Sequence, residues 1–245
     1  MRPWSRWHAR CTPGHPFMSR LALVSIPTLA LFLASQGLAV EAGPATDSLR
    51  ATYAEANQII RNPATVSRPS ELLPAFRALF GTAFDFPGAA EDALGPQWLT
   101  RTAIEQKEFT SLFASFVQRG FVYWLASVAD IAGGGIIVHY LGESGDRDRA
   151  VVRTAIGRRG GRQVPLDHDM IHVGTRWMVR DVTINGINLV PNYRAQFDRV
   201  IRASSYPELL ARLREKVAAE LPRPASTGPE PSDVPFLKPP PFEGR

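Results

Sequence analysis

The stretch Trp177–Phe197, "WMVRDVTINGINLVPNYRAQF", changes its period in the middle. Its first half has the β-branched character of a strand. Its second half places Leu189, Tyr193 and Phe197 four residues apart, on one face of a helix. Asn185-Gly186 stands between the halves. That dipeptide marks a hairpin when strand pattern continues on both sides, but here the pattern beyond it is helical. The expectation is therefore that Gly186 is a bulge or corner and not a hairpin apex, that the side-chain oxygen of Asn188 caps the next helix, and that Pro191 falls in its first turn. The helix face Leu189, Tyr193, Phe197 and Ile201 then folds back across a sheet. Asp181 and Arg194 bracket this corner as a charged pair expected to pin it; no third polar group accompanies them, so a structural role outweighs acid–base chemistry.

Upstream, "GGGIIVHYLGES", "RAVVRTAIGRR", "RQVPLDHDMIHVG" and "RWMVRDVTI" are short β-rich runs separated by the turn clusters "SGDRD", "GRRGG" and "GT". Sequential strands joined this tightly are antiparallel, because parallel neighbours need a longer crossover. Further upstream the period is helical. "TDSLRATYAEANQII" aligns Leu49, Tyr53, Ala56 and Ile60, and Ser70 is placed to cap a short helix. Thr102 and Glu105 form a capping box ahead of Phe109, Phe113, Phe116, Gly120 and Trp124. Downstream, "SSYPELLARLREKVAAEL" aligns Leu209, Leu213 and Val217. Helices first, a meander second and helices last predict an α+β fold. Its antiparallel sheet of four to five strands packs against several helices, with an apolar cavity between the layers.

The ends carry different signals. From Met18 a single Arg precedes an apolar run, Leu21 to Leu33, followed by small residues suited to cleavage after Ala42 or Ala39. This is the layout of a secretory signal peptide, assigned to residues 1–42 with Met18 as an alternative start. The run is shorter than the ~20 residues a membrane span needs and contains Pro27. Cleavage removes the one cysteine, Cys11, and with it disulfides, thiol catalysis and cysteine metal sites. Loss of Arg2, Arg6, Arg10, Arg20 and Glu41 takes 28 basic and 23 acidic residues to 24 and 22, a net of +2. That is no nucleic-acid footprint. Residues 43–221 form the predicted domain, and the Pro-rich residues 222–245 read as a disordered tail.

With these elements in place, the chain resembles the MlaC family, the toluene-tolerance family of periplasmic phospholipid-binding proteins. The resemblance rests on "LGPQW" through "EQKEFTSLFASF" (Leu94 to Phe116), on "FDF" (Phe84 to Phe86), and on "WMVRDVTINGINLVPNYRAQF" followed by "YPELLARLREK". It spans most of residues 45–220. The family often has serine where Asn188 stands, and the Pro-rich tail lies outside its pattern. What the resemblance implies is a non-enzymatic periplasmic carrier without a cofactor. Its cargo is a phospholipid held by the acyl chains and shuttled between an outer-membrane lipoprotein complex and an inner-membrane ABC transporter lipid-uptake complex, with transient membrane contact, in the service of outer-membrane lipid asymmetry. A hopanoid-associated branch makes a hopanoid-like cargo the alternative.

The apolar residues suit that task on physical grounds. At about 0.8 kcal/mol per methylene, two acyl chains in water cost on the order of 20 kcal/mol, so a carrier must supply a dry surface. The expected lining is Phe113, Phe116, Tyr123 and Trp124 from the long helix; Val138, Tyr140, Val152, Ile156, Trp177, Val179, Val182 and Ile184 from the strands; and Leu189, Tyr193 and Phe197 from the helix after the corner. For each the competing reading is ordinary core packing.

Other constellations are weaker. His168, Asp169 and His172 in "DHDMIH" have spacing for a metal, against the blander reading of an exposed polar strand face. Gly133–Gly135 lacks the Gly-Lys-Ser/Thr ending of a phosphate loop and reads as a linker. "GRRGGR" in a hairpin turn faces water or anionic headgroups. No Gly-x-Ser-x-Gly elbow appears, and Asp85, Asp130 and His139 share no spacing that would make them catalytic partners. Besides the carrier, an enzyme and a non-catalytic periplasmic adaptor stay open; the first predicts convergent ionisable groups and the second a filled core.

Overall fold

The computed structural model describes residues 43–62, 69–128, 135–157 and 160–219. The predicted signal peptide, the Pro-rich tail, Asp130 and the tip of the "GRRGG" turn lie outside the described residues. Among those described, six α-helices and five strands alternate as the sequence predicts: helices, then a meander, then helices.

Helix α1 (Pro44–Arg61) buries Leu49, Tyr53, Ala56 and Ile60, the predicted stripe. Its N-terminus is held by a strand carboxylate, since the Thr46 amide donates to Glu143 Oε2 at 2.7 Å. Helix α2 (Pro69–Ala83) begins one residue ahead of Ser70, which is already helical and is not the predicted cap. Helix α3 (Phe86–Leu94) starts at Asp85, whose side chain accepts from the Gly88 amide, and runs into a 3-10 turn over Gly95–Thr100. Helix α4 (Ala103–Val128) opens on the expected capping box: the Thr102 amide donates to Glu105 Oε2 at 2.8 Å and the Glu105 amide to Thr102 Oγ1 at 3.3 Å.

The strands β1 (Ile137–Gly145), β2 (Arg149–Gly157), β3 (Val164–Val173), β4 (Arg176–Ile184) and β5 (Ile187–Asn188) form one antiparallel sheet in sequential order. After β5 come α5 (Leu189–Ala203) and α6 (Tyr206–Ala218), the latter capped by Ser205, whose Oγ accepts from the Glu208 amide. Alternate residues of β3, Val164, Leu166, His168 and Met170, face the helices and are buried. A bulge between β3 and β4 leaves Arg180 unpaired between Val179, opposite Met170, and Asp181, opposite Asp169.

The corner differs from expectation in three ways. Asn185 (φ 50°) and Gly186 (φ 80°) both take left-handed backbone, and Thr183 and Ile184 pair with Asn188 and Ile187. Asn185-Gly186 is therefore a two-residue hairpin apex after all, of the kind that needs positive φ at both positions. Strand pattern fails to continue beyond it because β5 is only two residues long. Asn188 is the helix boundary, but its side chain caps nothing and its buried Oδ1 has no hydrogen-bond partner. The cap comes instead from β4: Asp181 Oδ1 accepts from the amides of Val182 (2.7 Å) and Val190 (3.0 Å), the second being in the first turn of α5. Arg194 does not pair with Asp181; its guanidinium lies over Gly95, at the end of α3.

Candidate functional site

Two hollows meet at the β4 bulge. The first is an apolar cavity between sheet and helices. It is lined by Phe84, by Phe86 and Ala89 of α3, by Phe113, Val117 and Phe121 of α4, by Val182 of β4, and by Leu189, Val190 and Tyr193 of α5. Five of its lining residues are aromatic, and Phe113 meets Tyr193 edge to face with ring centroids 5.9 Å apart. The free volume is about 30 Å³, whereas sites for small molecules run to about 300–1,000 Å³. As described, the cavity is nearly closed.

The second hollow is an open cup of about 400 Å³ with a mixed lining: Asp92, Ser144, Asp146, Arg149, Asp169, Arg180 and Asp181 stand among Gly145, Ala150, Val151, Met170 and Ile171. Arg180 and Asp181 line both hollows. The Arg180 Nε donates to Asp92 Oδ2 at 2.8 Å and Nη1 to Asp85 Oδ2, so one guanidinium clasps both ends of α3 to β4. It passes directly over Gly88, where an added Cβ would sit 1.5 Å from Nη1; only glycine leaves room for it.

Burial dominates the electrostatics here. It pushes the Asp181 carboxyl up to about 7 despite the two amides that favour its charged form, and the neighbouring Asp169 and Asp92 charges add to the rise. Asp169 is raised as well, first by burial and then by Asp167. The Tyr193 hydroxyl is raised by burial and by Asp181.

A third, smaller void of about 10 Å³ lies under α1, lined by Tyr53, Phe80, Phe84, Phe121, Leu125 and His168 among others. His168 was expected on an exposed polar face; it is 1% exposed. Tyr53 Oη donates to its Nε2 at 2.9 Å, and its Nδ1 donates to the Val152 carbonyl at 3.4 Å. Burial holds the imidazole down at about 4, hence neutral. His172 is exposed at the far end of the strand, and among the described residues no cluster of three or more His, Cys, Asp or Glu side chains is placed to hold a metal.

Of the fifteen expected lining residues, Phe113, Val182, Leu189 and Tyr193 border the apolar cavity. Trp124, Val152, Ile156, Val179, Ile184 and Phe197 are buried in the continuous core, and Phe116, Tyr123, Val138, Tyr140 and Trp177 are half-buried. Phe84, Phe86, Val117, Phe121 and Arg180 line it without having been expected to. Two signals pointed to the aromatic and aliphatic ones: the "FDF" run, and the spacing Phe113, Val117, Phe121, which lies one step off the stripe read from the sequence; nothing in the sequence marked Arg180. Asp85 is a helix cap, and His139 is exposed on β1.

A model of the MlaC protein family matches residues 50–215. Among solved structures, a phospholipid-binding protein from Ralstonia solanacearum, in complex with a phospholipid, aligns with a TM-score of 0.63 at 21% identity, covering 72% of this chain and 98% of that one. The likeness is one of fold. Among curated proteins none matches.

Proposed function

Since the chain belongs to the MlaC family, we propose that it is a non-enzymatic periplasmic carrier that binds a phospholipid by its acyl chains and shuttles it between outer-membrane and inner-membrane ABC transporter complexes, maintaining outer-membrane lipid asymmetry. The observation that carries this reading is the apolar, aromatic-walled cavity between sheet and helices, in a chain whose family model covers residues 50–215. Acyl chains need a dry lining, and this is where the fold supplies one. The phospholipid held by the Ralstonia solanacearum neighbour supports the same cargo class.

At about 30 Å³ the cavity is too small for acyl chains as it stands. To accept acyl chains it must grow about tenfold to reach ligand-pocket size. The separable wall is α3, nine residues long and tied to β4 by the Arg180 clasp. Its exposed ion pair with Asp92 contributes at most about 1 kcal/mol, so parting it costs little. Phe113, Val182, Leu189 and Tyr193 form the acyl contact surface, and the other expected residues serve as the core that the cavity expands against. The carrier is proposed to act without chemistry; the charged groups that border the cavity, Arg180 and Asp181, are engaged with the Asp85 and Asp92 carboxylates and with the Val182 and Val190 amides, which supports that reading.

The test is to express the chain with its leader in a Gram-negative host, purify it from the periplasm without detergent, and analyse a solvent extract by mass spectrometry. Near-stoichiometric phospholipid is expected. A folded, lipid-free protein, or one retained in the cytoplasm, overturns the proposal.

A further inference from the structure

We propose that Asp181 couples cargo to protons: its carboxyl takes up a proton when acyl chains fill the apolar cavity, so that the protein holds its lipid more tightly at acid than at alkaline pH. The inference rests on the phospholipid-carrier reading and adds a means of regulating the same cavity.

Its basis is where the carboxyl stands. Among the residues that line the apolar cavity, Asp181 is the one acid and Arg180 the one base. Arg180 is engaged with Asp85 and Asp92, and a guanidinium keeps its charge. Asp181 accepts both of its amides through a single oxygen, Oδ1; one of them is the amide of Val190, in the turn of α5 that brings Leu189, Val190 and Tyr193 to the cavity wall. The other oxygen, Oδ2, makes no hydrogen bond among the described residues. A proton added there leaves Oδ1 as a carbonyl oxygen that still accepts the amides, so the helix cap survives the change of charge.

The surroundings of Asp181 favour that proton. Across the strands it stands opposite Asp169 of β3, Asp92 of α3 adds a second negative charge, and the Tyr193 hydroxyl on α5 is neutral. Arg194 of α5 lies over Gly95, and α4 presents only Phe113, Val117 and Phe121 to the cavity. Among the described residues no cation forms an ion pair with Asp181. Burial and the two carboxylates together push its carboxyl up to about 7.

Loading strengthens the first of these causes. Asp181 is half-buried and has solvent left to lose. Hydrocarbon entering the cavity removes more of it, and desolvation penalises the charged form alone. The proton affinity of Asp181 therefore rises on loading, and by linkage lipid binds better wherever the proton is present. Affinity is greatest at acid pH and falls as pH rises through the values of the empty and then the loaded state.

The experiment titrates the purified chain, stripped of lipid, with diheptanoylphosphatidylcholine below its micellar concentration. Binding is followed by calorimetry at pH 6, 7 and 8 in pairs of buffers that differ in ionisation enthalpy. Neither the phosphate nor the quaternary ammonium of this probe titrates in that range, so any proton taken up belongs to the protein. For a roughly tenfold rise in proton affinity on loading, binding should be about fivefold tighter at pH 6 than at pH 8, with about half a proton taken up per lipid between pH 7 and 8. Asp181→Asn keeps an oxygen for both amides; it should bind equally at all three pH values and lose the proton uptake. Wild-type binding that is indifferent to pH, or a pH dependence that Asp181→Asn retains, overturns the inference. If Asp181→Asn does not fold, Asp169→Asn takes its place: loss of the facing charge should move the wild-type midpoint to lower pH, and an unmoved midpoint overturns the inference as well. A wild-type protein that binds no phosphatidylcholine at any pH defeats the carrier reading itself, a result distinct from binding that ignores pH.

Discussion

The space under α1 and the corner at β4 are both buried polar places in an apolar core, and they are built in opposite ways. Under α1, Tyr53 and His168 form a neutral pair with each ring nitrogen of His168 satisfied, and only about 10 Å³ is empty. At the corner, a carboxylate raised toward neutrality caps a helix, an ionic clasp reaches half-exposed Asp92, and empty space remains on both sides of the clasp. The first arrangement locks the sheet to α1 in one packing. The second fixes the α5 entry firmly but ties α3 with contacts that water and a ligand can replace, which is what a cavity that must open requires.

The comparison is broken most directly at Asp181. Asp181→Ala leaves two amides without their acceptor, one of them at the start of α5. Loss of a cap together with buried unsatisfied donors should lower stability by about 2–3 kcal/mol, read as a drop in urea midpoint with unchanged slope. Asn188→Ala is the control: its side chain caps nothing, so the change should stay within about 0.5 kcal/mol. Equal losses from the two variants would mean that the α5 cap is not supplied from β4.

On the α1 side, Tyr53→Phe keeps the ring and removes the hydroxyl that serves His168 Nε2. An unsatisfied buried acceptor should cost about 1–2 kcal/mol by thermal or urea melting. The variant should leave lipid loading as in the wild type, since neither residue borders the apolar cavity or the cup. Loss of loading at wild-type stability would move the site toward α1.

Much of this fold was legible in the sequence, and what was not has physical causes. Helical stripes such as Leu49, Tyr53, Ala56 and Ile60, and the Thr102–Glu105 capping box, are local patterns, and local patterns survive into the structure. The Asn185-Gly186 hairpin was masked because a two-residue strand leaves no period to read. The α5 cap was misassigned because the carboxylate that supplies it is nine residues upstream, a contact created only when the hairpin closes. "DHDMIH" is more polar than a core strand is expected to be, yet strand alternation hides one histidine inside while its acidic neighbours face out, and that burial is made tolerable by Tyr53 on another element and by the Val152 carbonyl of the neighbouring strand. The site was less legible than the fold. An aromatic residue that walls a cavity and one that fills a core satisfy the same hydrophobic demand, so Phe113 and Phe197 look alike until the packing is known. Arg180 carried no motif at all; its role follows from a bulge and from a glycine on a different helix.

The smallest expected effect sets the two regions against each other through pH. The Asp181 carboxyl is raised to about 7 from a usual value near 3.9, so in this window the folded state holds a proton that the unfolded state has lost. Its contribution is present below about pH 4 and fades as pH rises through 7. His168 is lowered to about 4 from near 6.5, so its contribution is present above about pH 6.5 and is lost as pH falls through 4. Between pH 4 and 6.5 the two slopes oppose, and wild-type melting should vary little there on their account. Asp181→Asn keeps an oxygen for both amides and abolishes the titration, so its melting temperature should climb with pH across that window. His168→Gln should show the reverse, a melting temperature that declines from pH 4 to 7. Parallel profiles for wild type and both variants would mean that neither group titrates differently on folding, and the contrast between a neutral lock under α1 and a charged latch at the corner would lose its electrostatic basis.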